Sequence, residues 1–338
     1  MESSHQNKEL LTKQEAVVYD RQIRIWGFEG QSRIMKSDVL LIGLGPLGAE
    51  SAKNLLLAGV HKLTLMDSTV TTEEDVNHSI LLFKDCLGKQ RAAASVEACK
   101  SINPFVNVNA LDLQVDSIGE EDIAPYTVVV LADQIAPVCN RVIKLCRKLN
   151  VHFCCLSLYG SYAYGIFDFQ KTLCDNTTSQ NAPEAPLPAE VINGELLENG
   201  KLGEADLIEC KTPIRETESN RHELRRFKNC LSAVHAVAAF EKSTDRRWSP
   251  NDAQVLGNFA EEGVAGTSFS SDILPHLNRA SLLAVPVVSG AVCGVVVHAI
   301  SEGTKAERPT FYLCDMAAYN GTVVRATAVP ELQHLFFD

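Results

Sequence analysis

The stretch Val39-Leu40-Leu41-Ile42-Gly43-Leu44-Gly45-Pro46-Leu47-Gly48 decides the fold. An apolar strand, Val39 to Ile42, runs into a glycine-rich turn. An Ala- and Leu-rich helical pattern follows over Ala49–Ala58, and a second apolar run, Leu63–Met66, closes on Asp67. Glycines in this pattern serve a tight turn, close backbone approach to a ligand and helix–sheet packing. The acid about 20 residues on stands where a ribose hydroxyl is held. The glycine loop alone is a weak signal. Strand before it, helix after it and an acid ending the second strand make it a nucleotide-binding βαβ unit. Whether this copy holds a nucleotide is a separate question.

Downstream, Gly88–Asn103 is an alanine-rich helix stopped by Pro104, and Val106–Leu111 alternates as a strand. Thr127–Ala132 is a fully apolar strand and Pro137–Leu149 a helix. Val151–Leu158 and Tyr162–Phe169 are two further strands joined at Gly160-Ser161. This alternation predicts an α/β fold, a Rossmann-like doubly wound, mostly parallel sheet with helices on both faces. Upstream, Met1–Lys8 is a polar tail, Glu9–Val18 a short helix and Gln31–Lys36 a helical turn.

The texture changes after the last of these strands. Thr172–Gly203 is rich in Asn, Pro, Glu and Gly, and Pro183, Pro186 and Pro188 forbid a regular helix. Helical patterns resume over Arg221–Lys242, Ser249–Glu262 and Asp272–Leu282. Val285–Ile300 is apolar with Ser289, Gly290, Ala291 and Gly294 interspersed. It is shorter than the roughly 20 residues of a membrane span, so it reads as a core helix packed closely through its glycines. Thr310–Asp315 and Thr322–Ala326 form a strand pair turning at Asn320-Gly321. The predicted organisation is a tail and helix over 1–18, one domain over 19–171 and 222–338, and a flexible insertion over 172–221.

Composition excludes several classes. The net charge of −11 argues against a general surface for nucleic acid or anionic membrane. The polar N-terminus does not resemble a secretory leader. None of the 11 cysteines falls in a CxxC pair, and Cys139, Cys146, Cys154, Cys155, Cys293 and Cys314 lie in apolar runs. They read as reduced, buried thiols of a cytosolic or nuclear protein. The nine histidines form no metal-ligand spacing, so no metal site is expected.

The nonapeptide Tyr19-Asp20-Arg21-Gln22-Ile23-Arg24-Ile25-Trp26-Gly27 resembles the N-terminal signature of the ubiquitin-like-protein activating enzymes, which pair two adenylation folds of the MoeB/ThiF type. The glycine loop, Gly88-Lys89-Gln90-Arg91-Ala92, the helix Val285–Glu302 and Phe311…Asp315…Gly321 agree with that family in order. The resemblance implies an adenylation fold, and it also implies what this copy has lost. Pro46 stands where active halves carry glycine, removing an N–H that could face a phosphate. Ser79, within Val76–Phe83, stands where they carry a phosphate-neutralising arginine. Arg91 replaces a phosphate-contacting lysine, Lys89 survives, and Asp133-Gln134 is a remnant of the metal-binding Asp-Asn pair. Gly43, Gly45, Gly48, Asp67, Lys89, Arg91 and Asp133 thus form a degenerate nucleotide fingerprint. Cys174 and Cys210 lack the Pro-X-Cys-Thr context of a thioester cysteine.

In the resembling family the arginine at position 21 reaches across a pseudo-symmetric interface to the ATP phosphates held by the active half. Arg24, three residues on, is placed beside it for the same cofactor. Arginine's fixed charge and bidentate fork suit this in-trans role. The competing reading is a structural ion pair of Arg21 with Asp20 or Glu29. Length and the short insertion agree best with the non-thioester subunit of the family's SUMO-directed heterodimer. The resemblance then implies a thioester-forming catalytic partner holding ATP and Mg, SUMO as the adenylated modifier, and a conjugating enzyme met only indirectly. It also implies nuclear residence with some cytoplasmic presence, and an isolated chain without activity. Other readings stay open on these residues: a self-sufficient MoeB/ThiF-type adenylating enzyme, a regulatory subunit for another ubiquitin-like modifier, or an NAD-dependent oxidoreductase. The last explains only the glycine loop and Asp67.

Overall fold

Successive side chains of a strand face opposite ways, and in the first strand, β1 (Asp38–Ile42), both sets are buried. Val39 and Leu41 join one apolar core, and Leu40 and Ile42 join another on the opposite face of the sheet. A strand buried on both faces has to lie in the middle of a sheet covered on both sides. The computed structural model describes residues 12–170, 221–260, 274–277, 283–303, 310–316, 320–325 and Phe336. The expected polar tail, Cys174, Cys210 and the insertion apart from Arg221 lie outside them.

The remaining strands are β2 (Lys62–Met66), β3 (Asn107–Ala110), β4 (Val128–Ala132), β5 (His152–Tyr159), β6 (Tyr162–Asp168), β7 (Thr310–Asp315) and β8 (Asn320–Arg325). They form one eight-stranded sheet in the order β3-β2-β1-β4-β5-β6-β7-β8. Pairing is parallel from β3 through β5 and antiparallel from β5 to β8. The doubly wound expectation therefore holds for the first five strands, and an antiparallel extension follows.

The helices are α1 (Lys13–Val18), α2 (Asp20–Ile34), α3 (Pro46–Ala58), α4 (Glu73–His78), α5 (Arg91–Ile102), α6 (Glu120–Ile123), α7 (Ala136–Leu149), α8 (Arg221–Thr244), α9 (Ala253–Ala260), α10 (Leu274–Leu277) and α11 (Ala284–Glu302). Apolar residues of α3, α5 and α11 share the core that contains Val39 and Leu41, while those of α7 and α8 share the core of Leu40 and Ile42. The expected helical turn at Gln31–Lys36 is the second half of α2, which Gly27 interrupts with φ of 73°.

The nonapeptide is pinned to the βαβ unit at both ends. The Tyr19 side chain is buried, and its hydroxyl accepts a hydrogen bond from Asn103 Nδ2 at 2.9 Å. Its ring lies so close to Gly59 that a Cβ there would sit 2.5 Å from it. Trp26 Nε1 donates to Gln31 Oε1 at 2.9 Å, and Gln31 Nε2 donates to the Ala58 carbonyl at 3.1 Å. Arg21 and Arg24, between these anchors, are left on the exposed side.

Two expectations about local packing are corrected. In α11, Gly290 and Gly294 face open space and touch nothing through a built Cβ. The packed face is instead Val288, Ser289, Val292, Cys293 and Val296. Ser289 Oγ hydrogen-bonds Ser51 Oγ of α3 at 3.1 Å and accepts from Asn54 Nδ2 at 2.9 Å. In the closing hairpin, Asn320 pairs with Asp315 and Gly321 with Cys314. This register puts Asn320-Gly321 inside β8, paired with β7, rather than in a turn.

Candidate functional site

The sheet order reverses direction between β1 and β4, and a doubly wound sheet opens a crevice at that switch point, beyond the carboxyl ends of its strands. A cavity of about 750 Å³ lies there. Ile42 and Gly43 end β1 into it, Met66 and Asp67 end β2, and Ala132 and Asp133 end β4. Leu113, Val115 and Gln114 close another side.

The three glycines divide by task. Gly43 has φ of 91°, and a Cβ there would lie 2.3 Å from the Ala132 carbonyl oxygen. A Cβ on Gly48 would fall 1.9 Å from the Gly43 carbonyl oxygen. Gly43 is needed for both its backbone conformation and its packing, Gly48 for packing. Gly45, the N-cap of α3, has an ordinary φ of −62° and open space where its Cβ would be. Pro46 occupies the first helical position, where its fixed φ suits the helix. It supplies no donor to the cavity.

The charged residues are committed to one another. Asp67 accepts from the Leu44 N–H at 2.7 Å and the Thr69 N–H at 2.9 Å. Arg91 lies 3.5 Å from Asp67 and 2.6 Å from Asp75, so its guanidinium bridges two carboxylates. Burial works to raise the pKa of Asp75. The backbone and hydroxyl of Thr72 and the Arg91 guanidinium outweigh it and hold the carboxyl below its usual range. Asp133, at φ of 53°, accepts from the Leu158 N–H at 3.0 Å and from Arg247 Nη2 at 2.7 Å.

Arg247 is the residue that sequence reading missed; the dipeptide Arg246-Arg247 carries no motif. Its Nη1 donates to the Asp133 carbonyl at 2.6 Å and its Nη2 to the Leu158 carbonyl at 3.1 Å, with the guanidinium 4.6 Å from the Tyr159 ring centroid. Behind it, Tyr159 Oη donates to Glu241 Oε1 at 2.9 Å. The fully buried Glu241 also accepts from the backbone N–H groups of Trp248 and Ala136. Burial pushes the Glu241 carboxyl up, against Arg247 and these donors. Burial likewise opposes the charge on Arg247, but Asp133 and then Tyr159 and Glu241 overcome it and hold its pKa above the ordinary arginine value.

Of the predicted fingerprint, Gly43, Gly45, Asp67, Arg91 and Asp133 line the cavity, and Gly48 packs behind the loop. Lys89 does not join them. Its side chain is exposed outside the cavity, and its carbonyl accepts from the Thr71 N–H at 2.8 Å, which fixes the loop before α5. Ser79 ends α4, and its hydroxyl accepts from the Leu81 N–H at 3.2 Å. The lining has four carboxylates (Asp67, Glu74, Asp75, Asp133) against two guanidiniums. Both guanidiniums are already ion-paired. The charged lining is thus net acidic, and neither guanidinium is left free to meet a phosphate.

Arg21 lies elsewhere, exposed on the first turns of α2. The two acids that could neutralise it are engaged by other residues: Asp20 pairs with Arg24 at 2.9 Å, and Glu29 lies 3.8 Å from Arg33. Among the described residues Arg21 has no ion-pair partner. Arg24 is thus not a second free cation beside it. All nine described cysteines are free and buried. Burial pushes the Cys99 thiol up to about 12 and Cys293 to about 11, which makes them inert rather than nucleophilic.

The chain matches the ThiF family over residues 19–329. SUMO-activating enzyme subunit 1 of Danio rerio is 30% identical over 322 residues, covering 90% of this chain and 92% of that protein. The Homo sapiens protein of the same name is 27% identical over 335 residues, covering 93% and 95%. Among solved structures, the PaaA crystal structure superposes with a TM-score of 0.53 at 15% identity, covering 94% of this chain and 75% of that one. The crystal structure of E. coli MccB with succinimide gives 0.52 at 12% identity, with 91% and 71% covered. At such identities the structural likeness is one of fold.

Proposed function

The chain belongs to the ThiF family, and on that premise we propose that it is the non-thioester subunit of a heterodimeric SUMO-activating enzyme. Its own cavity does not fit ATP and Mg, the cofactors of adenylating members of the family. Four carboxylates line it, its two guanidiniums are spent on them, and the helix at its mouth begins with a proline. The partner subunit therefore holds ATP and Mg, adenylates the C-terminus of SUMO and forms the thioester. This chain contributes Arg21.

The observation that carries this reading is the state of Arg21. An exposed guanidinium whose neighbouring acids are taken by Arg24 and Arg33 is free to fork onto phosphate oxygens of another chain's nucleotide. Arg24 then acts by holding Asp20 away from Arg21, rather than by touching the cofactor. The choice of SUMO is supported by the likeness, over nine-tenths of the chain, to relatives named SUMO-activating enzyme subunit 1. A nuclear site of action goes with it.

The test is ATP–pyrophosphate exchange with the purified chain and SUMO. The chain alone is expected to give no exchange, and adding the thioester-forming partner to restore it. Exchange by the chain alone would overturn the proposal in favour of a self-sufficient adenylating enzyme.

A further inference from the structure

Three protein oxygens converge on the guanidinium of Arg247. They are Asp133 Oδ1 at 2.7 Å, the Asp133 carbonyl at 2.6 Å and the Leu158 carbonyl at 3.1 Å. One carboxylate with two backbone carbonyls is an acceptor set that Arg141 also takes, from Asp116 and Val115. It is a common donor set for a hard divalent cation, which takes carboxylate and carbonyl oxygens and completes its shell with water. Asp133 has a φ of 53°, a region that non-glycine residues seldom enter. The Leu158 N–H fixes its carboxylate from behind at 3.0 Å. The fourth side is closed by the Tyr159 ring, 4.6 Å from the guanidinium carbon. The cage opens into the cavity, since Asp133 and Arg247 both line it.

We propose that Arg247 is an internal cation seated in an oxygen cage built by Asp133 and Leu158, and that by occupying it Arg247 bars divalent metal ions from the cavity. The inference rests on the reading that this half of the enzyme does not hold a metal–nucleotide, and it names the residue responsible. With a neutral side chain at position 247, the Asp133 carboxylate and the two carbonyl oxygens lose their cation, in a cavity whose only other guanidinium among the described residues, Arg91, is paired with Asp67 and Asp75. The electrostatic balance then favours a small divalent cation. Arg247 belongs to the segment after α8, far in sequence from the cage it fills, so the exclusion is a property of the folded chain and not of the glycine loop.

The test uses the full-length chain with Mn²⁺ alone, followed by electron paramagnetic resonance of free and bound ion, with thermal unfolding in parallel. The parent chain is expected to bind no Mn²⁺ at this site. Arg247→Met and Arg247→Gln are expected to bind it at least about tenfold more tightly than the parent. Asp133→Asn added to either should abolish the gain. If loss of the cation unfolds these variants, Mn²⁺ is expected to restore folding, because the cage then closes around the metal. Arg247→Lys, which keeps a cation against the same oxygens, should behave as the parent does. Equal Mn²⁺ binding in parent and neutral variants, a gain that survives Asp133→Asn, neutral variants that stay unfolded in Mn²⁺, or Mn²⁺ binding by Arg247→Lys would each overturn the proposal. Binding of Mg–ATP by the parent would instead strike the reading it rests on. A silent parent with silent neutral variants strikes only the role of Arg247.

Discussion

Arginine is used in two opposite ways in this chain. Arg91 and Arg247 are satisfied inward, each by carboxylates of the same chain, and so have no charge to offer a ligand. Arg21 is exposed and its neighbouring acids are occupied by Arg24 and Arg33. A guanidinium that stabilises charge developing on phosphate contributes mainly in the transition state, and removing one such donor typically slows the chemical step by about 10²–10³-fold. Arg21→Ala in the reconstituted heterodimer is therefore expected to slow adenylate formation by roughly that factor, with little change in subunit association. Arg21→Lys, which keeps the charge but not the planar fork, should recover only part of the rate. Single-turnover adenylation alongside sedimentation of the complex reads both quantities. Equal loss of rate and of association would mark Arg21 as an interface residue with no part in the chemistry.

The βαβ element keeps its shape for reasons that its glycines separate cleanly. Gly48→Ala drives a methyl into the Gly43 carbonyl, where only backbone can move, and should destabilise the chain by about 3 kcal/mol. Gly45→Ala meets nothing and should cost within about 1 kcal/mol, the difference between glycine and alanine at an N-cap. Urea unfolding of the two variants is the measurement, and similar losses would contradict the packing argument. This element was the most legible part of the sequence, because strand hydrophobicity, glycine spacing and the terminal acid are all local and each has one structural use. The helix pattern of α11 was legible too, but not its packed face. A helix apolar all round carries no period to say which side is buried, so its sequence does not reveal that Gly290 and Gly294 face out. Asn-Gly signals a turn only where the register allows it, and here Asn320 is already paired with Asp315 in the ladder. The candidate site was half legible. Pro46 and Ser79 announced a weakened phosphate loop, but Arg247 contacts Asp133 from 114 residues away, and no local pattern encodes that contact.

A molecule whose cavity arginines are both paired internally, and which turns another arginine outward, is on the proposed reading half of a functional unit, and its surface bears on the same point. Val17, Ile25, Leu283 and Val287 are large apolar side chains at 78%, 76%, 83% and 49% exposure, and they come from the N-terminal helices and the start of α11. Singly exposed hydrophobics are ordinary, but here α2 also carries Arg21, and α11 packs against α2. The small residues Gly290, Ala291 and Gly294 continue the exposed face of α11, where a partner's backbone could approach closely. The charge of −11 works against non-specific association but does not cover this face. An obligate complex of two such folds buries roughly 2,000 Å² or more, with an apolar centre, and the subunit alone exposes that area to water. The chain expressed by itself is accordingly expected to self-associate in a concentration-dependent way. Co-expression with the thioester-forming subunit should yield a one-to-one complex in which neither subunit exchanges readily. Replacing Ile25 and Val287 with Asp should weaken that complex while leaving the fold of the chain intact, because both side chains lie outside the two cores. Light scattering over a dilution series, with and without the partner, distinguishes the outcomes. A chain that stays monomeric at high concentration and binds no second adenylation fold would refute the obligate-heterodimer reading and return the search for function to its own cavity.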